Sequence, residues 1–230
     1  MADVTYLLKW DETGERLYET GVKNAVFYPY DTTSKKYTNG VAWNGITSIS
    51  ESPEGAEAND LYADDIKYLS LISAETFGAT VEAYMYPEEF ALYDGSAAIA
   101  DGVMIGQQNR PMFGLCYKTT LGNDVSGNDY GYKLHLIYGC KASPSEKGYE
   151  TINDSPDAIT FSWEINTTPV SVAGFRPTAT VVIDSTKADP TKLAALEQKL
   201  FGTPAGENPE TNPAIPAELP LPDQIKLLMS

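Results

Sequence analysis

The sequence predicts a mainly β protein with one flanking α-helix and an extended arm at each end. Three observations carry this. Several stretches alternate apolar and polar residues, as in Ala79, Val81, Ala83 and Met85 against Thr80, Glu82, Tyr84 and Tyr86, the two-residue period of a sheet with one buried and one polar face. One segment, 189–202, has clear helical spacing: Leu193, Leu196, Leu200 and Phe201 follow Pro190, and Gly202 ends the run. Six of the fifteen prolines fall between Pro204 and Pro222, where each removes a backbone donor and favours extended chain.

Residues 1–21 are mixed in character and end at Gly21, which predicts an N-terminal arm or edge strand. A single β domain is expected over 22–202, followed by a proline-rich C-terminal arm over 203–230. Strands are predicted at 22–29 and 41–50. The polar stretch 30–40 between them closes on Asn39 and Gly40 and reads as an exposed loop. Residues 51–60 hold Pro53, Gly55 and the acids Glu51, Glu54, Glu57 and Asp60. They bury too little apolar surface to fix themselves, so a mobile loop is expected there.

Strands return at 66–72 and 77–86, the second setting Thr80, Glu82, Tyr84 and Tyr86 on its polar face, the candidate wall or lumen face under the resemblance given below. Pro87, the acids Glu88 and Glu89, and Gly95 frame a short helix. Residues 96–109 are small and glycine-rich, a connector. Strands at 112–121 and 130–142 flank an Asn/Asp/Gly-rich turn, a hairpin with a long tip. Residues 149–156 are turn-like, and further strands are expected at 158–168 and 178–184. In the C-terminal arm, Ile215, Leu219, Leu221, Ile225 and Leu228 are too apolar for an idle tail. The arm is read as docking on a neighbouring subunit, the alternative being that it folds back on its own domain or stays disordered, with a helical turn at 223–229.

A chain of 230 residues can bury a sizeable core. Its net charge is −16, and between Lys36 and Arg110 twelve acids face one base, Lys67, so eleven of those sixteen charges lie there. That balance excludes ordinary nucleic-acid binding, which rests on Lys and Arg neutralising phosphates. It leaves open a surface past which DNA moves without sticking. Cys116 and Cys140 each sit in an apolar stretch and read as buried thiols. No secretory signal or membrane-length apolar run is present, so a soluble protein made in the cytosol is expected, and the sequons at Asn153 and Asn166 are idle.

Catalytic patterns are missing. His135 is the only histidine and alternates with Leu134 and Leu136 on a strand, with no nucleophile and acid arranged around it. No phosphate-cradling loop follows a strand, and no cofactor motif is found. A calcium loop begun at Asp124 would put Asp129 at its glycine position and His135 at its closing glutamate, so a plain turn is expected instead. Asp64 with Asp65, or Glu88 with Glu89, are poor catalytic carboxylate pairs, because neighbours on a strand face opposite ways and acids at a helix start have a structural use. Fifteen tyrosines suit sheets that pack on one side and meet a partner on the other. Two non-enzymatic readings remain, an assembly subunit and a β-sandwich binding module of immunoglobulin-like or carbohydrate-binding type.

Residues 40–55 (GVAWNGITSISESPEG), 61–69 (LYADDIKYL) and 73–90 (SAETFGATVEAYMYPEEF) closely resemble the major tail protein, or tail tube protein, of long-tailed, siphovirus-type bacteriophages. Weaker likeness runs through 110–117 (RPMFGLCY), 131–142 (GYKLHLIYGCKA) and from Phe161 to Thr180, in all over about 20–200. The resemblance implies a tail-tube-type β-sandwich or partly rolled barrel flanked by a helix. It implies hexameric rings stacked into a hollow tube in the virion, whose lumen holds the tape-measure protein and passes DNA at ejection. Tail terminator and distal tail proteins are the partners expected at its ends. Some relatives add an immunoglobulin-like domain, which is expected to be absent here because 28 residues follow Gly202. Relatives often carry an acidic loop that orders on assembly, and 51–60 is the matching candidate.

Overall fold

In the computed structural model, residues 8–152, 154, 157–205 and 214–230 are described. Strand makes up 46% and helix 12%, so the fold is mainly β. The strands are β1 (Leu17–Asp31), β2 (Lys36–Tyr37), β3 (Val41–Ala42), β4 (Ile46–Glu51), β5 (Ala58–Ala63), β6 (Ile66–Ile72), β7 (Gly78–Ala83), β8 (Ala97–Ala100), β9 (Val103–Ile105), β10 (Phe113–Asn123), β11 (Gly127–Ala142), β12 (Phe161–Thr167) and β13 (Thr180–Asp184). Two helices, α1 (Pro190–Phe201) and α2 (Pro222–Met229), complete the chain.

Nine strands form one antiparallel sheet in the order β2-β1-β10-β11-β12-β7-β4, with β3 on β1 and β13 on β11. β4, last in that order, returns beside β1, so the sheet rolls around a core. Phe90 sits at its centre, with ring centroids 4.4 Å from Trp43, 5.4 Å from Phe27, and 5.5 Å from both Phe113 and Trp163. Pro87 starts the expected short helix, which delivers Phe90 and is of the tighter 3₁₀ kind over Glu88–Leu92. Buried Asp94 ties this turn to the sheet. Its carboxylate accepts from Trp163 Nε1 at 2.9 Å and pairs with Lys147, and its carbonyl accepts from Arg110 at 2.8 Å.

The opposite face of the sheet is covered by α1, whose Leu193, Leu196 and Leu200 are buried as their spacing predicts. The Asp189 carboxylate caps the helix by accepting from the amides of Thr191 and Lys192. The C-terminal segment completes this layer by folding back on its own domain, the alternative to docking on a neighbour. Leu219 is 1% exposed and Ile225 5%, while Leu221 and Leu228 pack on the same cluster. Backbone bonds join Leu219 to Tyr37 and Gly40 to Ala217, and Tyr138 Oη donates to Pro220 O at 2.8 Å. Most of the arm's described apolar residues thus find their partner on the chain's own sheet, while Ile215, bridged through its backbone to Thr203, and Leu227 stay exposed.

Several boundaries move. β1 starts at Leu17 and crosses the predicted arm boundary, with pairing irregular around Lys23. The loop 30–40 contains the short strand β2. The β10–β11 hairpin is paired out to Asn123 and Gly127, so its tip is short, held by Asn123 Oδ1 accepting from the amides of Val125 and Ser126. The connector 96–109 holds the hairpin β8–β9, turned by Asp101 and Gly102, the latter with φ 72°. Cys116 and Cys140 are free and buried, as expected, and burial pushes the Cys116 thiol up to about 12. Residues 1–7, 206–213 and Asn153 lie outside the described residues. Among the described residues no helix is long and apolar enough to cross a membrane.

Candidate assembly surface

The strands β4 and β7 do not end where they leave the rolled sheet. Ser52 bonds to Gly78, Glu54 bridges Thr76, and Glu57 O accepts from the Ser73 amide, which carries the pair into β5 and β6. Residues 51–76 are therefore one long ribbon rather than the mobile loop expected at 51–60. Glu51 ends a strand, Glu54 is bridged, Glu57 is bonded on both sides, and Asp60 lies in β5. Backbone pairing with 73–76, which no local pattern in 51–57 signals, replaces the apolar anchor this stretch lacks.

Every residue of β6 is exposed, as are all of β5 but Asp60, and none joins either core cluster. The register sets Leu61 against Leu69 and Asn59 against Leu71 on one face. On the other, Asp60 accepts from Ser70 at 2.6 Å and pairs with Lys67 at 2.8 Å. Tyr62 at 71% exposure, Tyr68 at 69% and Ile72 at 71% have no cover. A free two-stranded ribbon is marginal in water, and exposed apolar side chains on a paired edge invite another chain. The β8–β9 hairpin repeats this on a smaller scale, with Ile99, Val103, Met104 and Ile105 all exposed.

Thr80 and Glu82 share the polar face of β7, opposite buried Ala79, Val81 and Ala83. Ser48 donates to Glu82 at 2.8 Å, and Thr80 pairs with Ser50 on one side and Glu164 on the other. The β4-β7-β12 face is thus polar and acidic. The predicted alternation fails past Ala83, where β7 ends. Tyr84 and Met85 are both exposed, while Tyr86 turns back to pack edge-on against Trp163 at 5.4 Å. The chain bends there because Gly45 O accepts from the Tyr84 amide and Met85 O from Trp43 Nε1.

At the ribbon's root lies a network that the sequence did not reveal. His135 stacks on Tyr117 with centroids 4.7 Å apart and planes 4° from parallel. Its Nε2 is 3.3 Å from Glu19 and its Nδ1 3.3 Å from Glu51, the second contact poorly aligned for a hydrogen bond. Tyr117 Oη donates to Glu51 at 2.5 Å, Thr119 Oγ1 to Glu19 at 2.5 Å, and Lys133 pairs with the same Glu19 at 2.5 Å. Thr119 is 3.0 Å from His135 Nε2, yet its hydroxyl is committed to a carboxylate. The group works as a clamp across β1, β4, β10 and β11. The one available signal was that His135 and Tyr117 sit among apolar strand residues.

The imidazole beside Glu51, against the cost of burial and with help from Tyr117, holds that carboxyl below its ordinary 4.5. Burial opposes ionisation of Glu19, but hydrogen bonds from Lys133 and Thr119 outweigh it and lower that carboxyl too. A carboxylate with a lowered folded value adds stability above its ordinary range and loses it as pH falls through the folded value. Thermal melts from pH 7 to 3 should therefore show stability falling below about pH 4.5. Glu51→Gln should flatten that fall, and an unchanged slope in the variant would refute the clamp.

Among the described residues no cluster of His, Cys, Asp or Glu is arranged to hold a metal. Comparison of the sequence with models of protein families and with curated proteins finds no match.

Proposed function

We propose that this chain is a non-enzymatic structural subunit of the tail tube of a long-tailed bacteriophage, assembling as hexameric rings stacked around a lumen. The observation that carries the reading is the ribbon 51–76, which extends the main sheet beyond the body with its apolar residues uncovered. Such a ribbon suits strand pairing and burial between copies. Thr80 and Glu82 belong to the acidic face suited to line the lumen. Six copies of a −16 chain carry −96 in all, which repels phosphates and lets DNA pass without adhering. The lumen would hold the tape-measure protein, with terminator and distal tail proteins at the ends, in a virion assembled in the bacterial host's cytoplasm.

Negative-stain microscopy of the purified chain is expected to show six-fold rings or tubes. Particles that stay monomeric at high concentration under varied salt would overturn the reading. Hydrogen exchange on free and assembled protein is expected to show new protection over residues 58–72. Retention on a glycan column without assembly would favour the binding-module alternative.

A further inference from the structure

Arg110 and Lys141 line one cleft with Asn109, Ser143 and Asn166, beside the root of the ribbon. Asn166 pairs with Lys141 on one side and with Gly78, where the ribbon begins, on the other. Gly95, with φ 82°, makes room for the guanidinium, since a Cβ there would lie 2.9 Å from Arg110 Cζ. Arg110 donates to the Asp94 carbonyl, but its Nε is buried with no partner. Neither cation has a carboxylate within 4.0 Å among the described residues. Other bases of the chain also lack an ion pair, but these two line one cleft and one of them has a buried donor without a partner, which makes the cleft a place for a carboxylate from elsewhere.

The ribbon's tip offers it. Asp64 and Asp65 turn the hairpin, both exposed, with φ of 51° and 61°. Two-residue turns of this kind are usually Asn-Gly or Asp-Gly, so a second aspartate in place of the glycine is a departure from the usual turn. Two adjacent carboxylates are thus held in one turn, and neither has a cation partner. Thirteen residues at about 3.3 Å each place the tip roughly 40 Å from the root, and a body of about 200 residues is also roughly 40 Å across. The tip is therefore far from its own cleft. A reach of about one body length is enough to bring the tip to a second copy.

We propose that the Asp64–Asp65 tip of one copy seats in the Arg110–Lys141 cleft of a second copy. The inference rests on the self-assembly reading and gives it a charge-based register between stacked copies. Lys141 is exposed, so Lys141→Glu tests it without disturbing the core, with thermal melts confirming the fold. Sedimentation should show the critical concentration for assembly raised about tenfold or more by Lys141→Glu, and likewise by Asp64→Lys with Asp65→Lys. Combining all three changes should restore assembly to within about threefold of the unmodified chain. An unmodified chain that never assembles overturns both readings. If it assembles and Lys141→Glu assembles equally well, or the combined variant stays blocked, only the tip-to-cleft contact falls.

Discussion

Gly139→Ala is expected to lower stability by about 3 kcal/mol or more, a fall in melting temperature of about 6–12 °C for a chain of this size. Gly139 sits in β11 with φ 62°, and a Cβ there would lie 2.1 Å from Thr168 O. It is the point at which β11 changes partner: residues 133–137 pair with β13, and 140–142 with β12. Its carbonyl accepts from the Thr168 amide at 3.0 Å and its amide donates to Tyr37 Oη at 2.9 Å. The extra residue also resets which side chains face inward, so Ile137 and Cys140 join one core while Tyr138 joins the other. Gly148, with open space around its position, is the control, and Gly148→Ala should stay within about 0.5 kcal/mol. Equal melting of the two variants would show that the bulge does not govern the sheet.

Leu219→Ala is expected to cost about 2–5 kcal/mol, and removal of residues 203–230 to leave no cooperative unfolding transition. Leu219 is 1% exposed and fills space that a Cβ on Gly114 would occupy, 2.5 Å from Leu219 Cδ2. The shortened chain would also uncover Tyr37 and Tyr138. Burial pushes the Tyr37 hydroxyl up to about 12, and exposure should return it towards 10. Because the segment packs on its own sheet, the melting temperature of unassembled protein should not depend on concentration. A marked rise with concentration, alongside an unaffected Leu219→Ala variant, would mean that the segment is exchanged between copies.

What could be read from the sequence was what neighbouring residues decide together. α1 was legible because Asp189, Pro190, the leucine spacing and Gly202 all lie within one stretch. The inner face of β7 was legible from strict alternation, until Trp43 and Gly45, about forty residues away, bent the chain at Tyr84. The β8–β9 hairpin was missed because its alanines are weak strand formers, and Asp101 with Gly102 was the only turn signal. The His135 clamp was illegible because its partner Glu19 is 116 residues away, and no local pattern links them.

By itself the sequence determined a mainly β chain, its capped helix, its buried cysteines and the acidic character of 37–109. Periodicity, capping and charge are set within a few residues and survive in any fold. Only the tertiary structure decided that 51–76 is a standing ribbon, that the proline-rich segment closes the chain's own core, and that Arg110 and Lys141 line one cleft without a carboxylate among the described residues. Those outcomes depend on which distant groups exclude water together and which polar groups are left to find partners. That is settled by packing rather than by order along the chain.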